Sequence, residues 1–193
     1  MNCAGCKGKA CHRGKDCTEI AEEVKEEYKD EVLKLLRVST RIESRYYMQK
    51  TRIEELILYA KEMNYKKLGV AFCIGMQKEA GIICDVLSQY FDVSSVCCKV
   101  CGIDKSHFEL ERLHNDVEAM CNPLGQAKIL NHEKTDLNII LGLCIGHDIL
   151  FTKYSVAPVT TLAVKDRVLA HNPLGAIYSA YHMNKLMIKN EKH

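Results

Sequence analysis

Apolar side chains recur along this chain in two rhythms, and the rhythm changes near residue 65. Before that point Ile20, Val24, Tyr28 and Val32 repeat every four residues. This predicts a helix opening near Thr18, with Thr18 as N-cap and Glu19, Glu22 and Glu23 at its positive end. A second helix is expected over about 43–63, with Ile53, Leu56, Ile57 and Ala60 as its buried stripe and Asn64 as its stop. Beyond it come short unbroken apolar runs at 68–73, 93–98, 137–144 and 159–164, the pattern of strands buried on both faces. Helical stretches are expected between and after them, at about 77–90, 108–120 and 123–131, briefly after Cys144, and at 173–189. Alternating strands and helices predict an α/β, Rossmann-like fold: a doubly wound, mostly parallel sheet of four strands. Two helices and a small Cys-rich segment precede it. The expected division is 1–17, 18–64 and 65–193.

Two short echoes accompany this pattern. Cys73-Ile74-Gly75 recurs as Cys144-Ile145-Gly146, each at the end of an expected strand, and Asn122-Pro123-Leu124-Gly125 recurs as Asn172-Pro173-Leu174-Gly175, each opening an expected helix. Asn can cap an orphan N–H there, and Pro lacks the donor that would go unpaired.

Composition narrows the function classes. Apolar residues make up 47% and charged residues 27%, an ordinary globular balance. The net charge of +2 and the absence of Trp give no electrostatic footprint or stacking platform for nucleic acid. No apolar run approaches the ~20 residues of a membrane span. Nothing at the N-terminus reads as a signal peptide, so the expected location is the cytoplasm. Eleven cysteines are the anomaly: an odd count with a sizeable core argues against a disulfide scaffold and for metal ligation or thiol chemistry.

Cys3, Cys6, Cys11 and Cys17 stand in a segment almost without apolar side chains, interleaved with Gly5, Gly8 and Gly14. Four thiolates in that setting suit zinc, with a [4Fe-4S] cluster as the alternative, and Lys7, Lys9, Arg13 and Lys15 would offset their charge. His12 is a substitute ligand. In the domain, Cys73, Cys98 and Cys144 fall at the carboxyl ends of three expected strands, and Cys121 lies just before a helix start. In an open α/β sheet that edge, at the switch point of strand order, is where ligands bind. A second metal site, [4Fe-4S] or zinc, is therefore a candidate, with His147 and His171 as flanking donors. Zinc would draw four sulfurs to roughly 3.8 Å from one another, whereas a cubane needs thiols nearer ~6 Å apart. Cys84 and Cys97 read as core, and Lys165, Asp166 and Arg167 as a charged surface turn. Glycine-rich nucleotide loops, the serine-hydrolase elbow and the zinc-protease helix motif are all missing.

Several segments together resemble a prokaryotic domain-of-unknown-function family of predicted metal-binding proteins, common in anaerobes. They are the N-terminal cysteines, Thr51-Arg-Ile-Glu-Glu55, Gly69-Val-Ala-Phe-Cys-Ile-Gly75, Cys98-Lys99, Met120-Cys-Asn-Pro123, Gly142-Leu-Cys-Ile-Gly-His-Asp148, Ala157-Pro158, Val164-Lys-Asp-Arg-Val168 and His171-Asn-Pro173. The resemblance implies metal binding and no particular reaction. Cys101 stands where such proteins often carry Gly. Three readings follow. The first is a metalloprotein acting on a small molecule, through Lewis-acid or sulfur chemistry if the cluster has an open iron. The second is a non-enzymatic zinc adaptor for a protein partner. The third is a thiol redox protein.

Overall fold

The computed structural model describes residues 1–114 and 116–187. The chain divides into two compact units, Met1–Lys50 and Thr51–His193, so the boundary falls inside the segment 18–64.

In the first unit a 3-10 turn, Ala10–Arg13, sits between left-handed Lys9 and Gly14. Helix α1 spans Ala21–Glu27 and α2 spans Asp30–Tyr46. Thr18 is not the N-cap of α1. The Asp16 carboxylate accepts the N–H groups of Thr18, Glu19 and Ala21 and the Thr18 hydroxyl. Those bonds hold the Asp16 carboxyl down at about 2. Val38 and Ile42 are the buried positions of α2.

The single helix expected over 43–63 does not form. Helix α2 ends at Tyr46, Met48 turns left-handed, and a new helix, α3, spans Arg52–Glu62. Thr51 and Glu54 make a reciprocal capping box, which fixes that new start. The apolar stripe at Ile53, Leu56, Ile57 and Ala60 masked this signal, although polar Gln49, Lys50, Thr51 and Arg52 interrupt the pattern before it. Thr51→Ala is expected to cost about 1 kcal/mol. It should be read as a lower urea midpoint at unchanged slope; an unmoved midpoint would show that the box does not hold α3.

Four strands follow: β1 (Lys67–Phe72), β2 (Asp92–Cys97), β3 (Leu137–Leu141) and β4 (Val159–Ala163). All pair in parallel, in the order β2-β1-β3-β4. Strand β3 stops three residues short of Cys144 because Gly142 turns left-handed at φ 68. The connecting helices are α4 (Gln77–Leu87), α5 (Pro123–His132) and α6 (His147–Tyr154).

Side chains alternate across β1, so each face has its own core. Leu68 and Val70 pack with Leu56 and Ala60 of α3 and with Ala80 and Leu87 of α4. Ala71 packs on the other face with Ala127 and Leu130 of α5 and Phe151 of α6. Helices thus cover both faces, as a parallel sheet requires. Gly69 on β1 leaves room for the buried Asn138 of β3, whose amide is satisfied by Thr135 and Ser155.

Two expected helices differ. Over 108–120 there is no α-helix. A 3-10 turn at Lys105–Phe108 and an Asp104–Ala119 bridge shape a loop instead. The Asp104 carboxylate accepts the N–H groups of Ser106 and Glu118 and pairs with Arg112, and Lys105 pairs with Glu118. Such side-chain-to-backbone bonds outcompete helix formation. The C-terminal helix is broken at extended Ser179 into α7 (Gly175–Tyr178) and α8 (Ala180–Met187), and positions 188 and 189 lie outside the described residues. Among the described residues no helix is long and apolar enough to cross a membrane.

Candidate metal centre

The chain leaves β1 toward β2, while β3 lies on the other side of β1, so the switch point of strand order falls between β1 and β3. Cys73 is the first residue past β1. Its N–H donates to the Leu141 carbonyl (3.2 Å), and its own carbonyl accepts the Met76 N–H (2.8 Å) as the chain turns into α4. Cys144 follows β3 by three residues, and its carbonyl accepts the N–H groups of His147 and Asp148 at the start of α6. Two cysteines therefore flank the switch point, one on each side.

Cys98 is the first residue past β2, with its N–H on the Phe72 carbonyl (2.9 Å). Its carbonyl accepts the N–H of Asn122 (2.7 Å), which brings the long loop back to the strand end and sets Cys121 beside it. Asn122 is the N-cap of α5, taking the Gly125 N–H at 2.8 Å, and Pro123 is the first residue of that helix. Buried Gln126 then spans the strand ends, its amide donating to the carbonyls of Val96 (2.7 Å) and Phe72 (3.2 Å). The matching Asn172 makes no side-chain cap; α7 begins later, at Gly175.

Cys98 and Cys121 lie side by side at this edge and act on each other's ionisation: the contact pulls Cys121 well below the usual thiol range and, with burial, pushes Cys98 well above it. Burial opposes the ionisation of Cys121, while the Lys99 ammonium and the His147 imidazole favour it. The Ile74 N–H donates to the Cys98 sulfur at 3.4 Å, and Cys73 is near enough to disfavour a second charge there. On the other side Arg167 Nη2 donates to Cys144 Sγ at 3.1 Å. The guanidinium also lies in the fields of Cys73 and Cys121, and together these thiols raise its pKa.

Arg167 was expected on a plain charged turn, and the turn proves to be built. The Asp166 carboxylate accepts the N–H groups of Val168 and Leu169, while its own N–H donates to His171 Nδ1 at 3.1 Å. Ala170 and His171 are both left-handed. His171 thus braces the turn that aims Arg167. His147 faces the cysteines more directly, through its effect on Cys121. Only the distance along the chain, 23 residues from Cys144, concealed Arg167.

Cys3, Cys6, Cys11 and Cys17 are all exposed and free. Among the described residues no three His, Cys, Asp or Glu side chains close around a single-ion position, at the N-terminus or in the domain. Cys84 packs at the edge of the first core and Cys97 at the edge of the second. Cys101 is exposed and left-handed. The domain donors are nonetheless the right chemistry for a thiophilic centre: thiols from four separate segments, two of which act on each other's ionisation, with cations around them.

A family model described as a protein of unknown function (DUF1847) matches residues 12–162. The chain belongs to this family. It is also 58% identical over 190 residues to an uncharacterized protein of Methanocaldococcus jannaschii, covering 97% of this chain and 98% of the relative. No solved structure matches it. The matched span includes β1 to β3 and most of β4, and with them Cys73, Cys98, Cys121 and Cys144; Arg167 lies beyond it.

Proposed function

We propose that this DUF1847 protein is a cytoplasmic metalloprotein whose domain centre is an iron–sulfur cluster among Cys73, Cys98, Cys121 and Cys144. Cys3, Cys6, Cys11 and Cys17 would form a separate zinc site. What supports the reading is the placement of Cys73, Cys98 and Cys144 just past three neighbouring strands at one sheet edge, with Cys121 set beside Cys98 and Arg167 donating to Cys144. The cations there would offset the charge of thiolate-bound metal.

The experiment is anaerobic purification with iron, acid-labile sulfide and zinc analysis. Wild type is compared with a variant in which Cys3, Cys6, Cys11 and Cys17 are all Ser. The expected result is a brown wild type holding iron, sulfide and zinc, and a variant that stays brown but loses the zinc. A colourless protein holding zinc alone would sink the cluster reading and leave the zinc adaptor. The effect of Cys98 and Cys121 on each other's ionisation supports a second reading, a thiol redox protein. A Cys98–Cys121 disulfide found by mass spectrometry in protein that never holds metal would support it.

A further inference from the structure

The first unit leaves an apolar stripe uncovered. Ile20, Val24, Tyr28, Val32 and Leu36 follow one another every four residues, and each is 39–49% exposed. Ile20 caps α1 and Val24 lies within it, Val32 and Leu36 lie on the first half of α2, and Tyr28 stands at the break between the two helices. Helix α2 buries a different strip. Val38 follows Leu36 by two residues, which at 3.6 residues per turn points it away from Leu36, and it is Val38 and Ile42 that are covered. Helix α1 has no buried residue at all. Its seven residues are far fewer than the ~12–15 that sustain an isolated helix in water, so it gains most from a face to pack against. Beside it lies an open depression of about 450 Å³, lined by Ile20, Ala21 and Val24 together with Lys15, Asp16 and Lys25.

Charge around this stripe is divided end to end. Residues 19–31 carry seven acids against two lysines, and residues 32–50 carry five basic side chains against one acid. A nucleic acid or an anionic membrane would be drawn to one half and repelled by the other. A second copy turned end for end suits both halves. The stripe is symmetric about Tyr28, with Val24 and Val32 four residues away and Ile20 and Leu36 eight. The turn therefore sets Ile20 against Leu36 of the other copy and Val24 against Val32, while each acidic half faces a basic one. Such self-complementarity is the condition for a two-fold interface.

We propose that two copies of this chain associate through this stripe, α1 of each lying on the first half of α2 of the other. Val32 and Leu36 of one copy enter the depression beside α1 of its partner. The surface is small, so the dimer is weak and concentration-dependent, in the micromolar range. It is independent of any metal in the domain.

The test is sedimentation velocity on the full chain, over protein concentrations from about 1 to about 500 µM, spanning the weak end of protein association. A reductant is present so that exposed cysteines do not link copies. Wild type is expected to pass reversibly from monomer to dimer, with a dissociation constant that rises about tenfold or more as salt screens the opposed charges. The double variant Val32→Ser, Leu36→Ser should weaken association at least as much while keeping its helical circular dichroism. Two charge variants test the pairing itself. Lys34→Glu, Arg37→Glu, Arg45→Glu makes the basic half acidic, and Glu23→Lys, Glu26→Lys, Glu27→Lys removes the acidic excess of the other half. Each alone should stay monomeric, and an equal mixture of the two should form a heterodimer. Wild type that is monomeric throughout overturns the proposal. So does a dimer that neither salt nor the serine variant weakens, or a mixture of two folded charge variants that stays monomeric.

Discussion

Cys98→Ser and Cys121→Ser are each expected to remove nearly all the iron and sulfide from the domain while leaving a folded protein. The two side chains lie side by side and act on each other's ionisation, so either change removes a proposed donor from the pair. Serine nearly matches cysteine in size, but its hydroxyl does not ionise near neutrality and cannot replace a thiolate on iron. The metal-free variants should therefore unfold cooperatively at close to the wild-type midpoint, which separates a lost ligand from a lost fold. Cluster loading should also depend on pH in a fixed direction. Metal displaces protons from its thiols. Cys121, drawn below the usual thiol range, has already given up its proton near neutrality, whereas Cys98, pushed above that range, still holds one. Loading should thus improve as pH rises from about 6 to about 8, with the Cys98 proton as the main competitor. Wild-type iron content in both serine variants would refute a centre at this pair.

The parts of the fold that were legible are those where one local rule acts alone. The runs at 68–73 and 137–144 read as buried strands because α-helices cover both faces of the sheet, so neither face needed polar residues. Cys73 and Cys98, each the first residue past its strand, were legible for the same reason, whereas Cys144 lies three residues past β3, beyond left-handed Gly142. Asn122-Pro123 started a helix as expected, yet the same four residues at 172–175 did not produce a side-chain cap. There the preceding residues are committed to the Asp166–His171 turn, in which His171 is left-handed. The break before Thr51 was present as Thr-x-x-Glu, beginning inside the polar run Gln49-Lys50-Thr51-Arg52, but was outranked by the apolar stripe that follows. Arg167 could not be placed from sequence, because its contact with Cys144 depends on a turn held by two left-handed residues after β4. The N-terminal cysteines are a different case. Their segment lacks a core and all four side chains are exposed, so the order it shows comes from the turn at Ala10–Arg13 and the Asp16 hydrogen bonds rather than from packing.

Gly142→Ala is expected to be among the most damaging single changes in the domain, costing about 2–5 kcal/mol. Gly142 ends β3 at φ 68, where a side chain is strained by roughly 1–2 kcal/mol. A Cβ there would also meet the sulfur of Met76 at 2.0 Å. Met76 is buried in the core between α4 and the sheet and has little room to give, so overpacking adds about 1–3 kcal/mol. The site would feel it too, since the Met76 N–H is bonded to the Cys73 carbonyl and Gly142 leads into Cys144. Gly81→Ala is the control: that glycine lies within α4, nothing would touch its Cβ within 4 Å, and the change should stabilise slightly. Urea unfolding of the metal-free proteins reads both. A Gly142→Ala protein as stable as wild type would mean that neither the backbone strain nor the Met76 contact is real. The double variant Gly142→Ala, Met76→Ala divides the two causes. Shortening Met76 removes the clash but not the strain, so the pair should lose clearly less than the sum of the single losses.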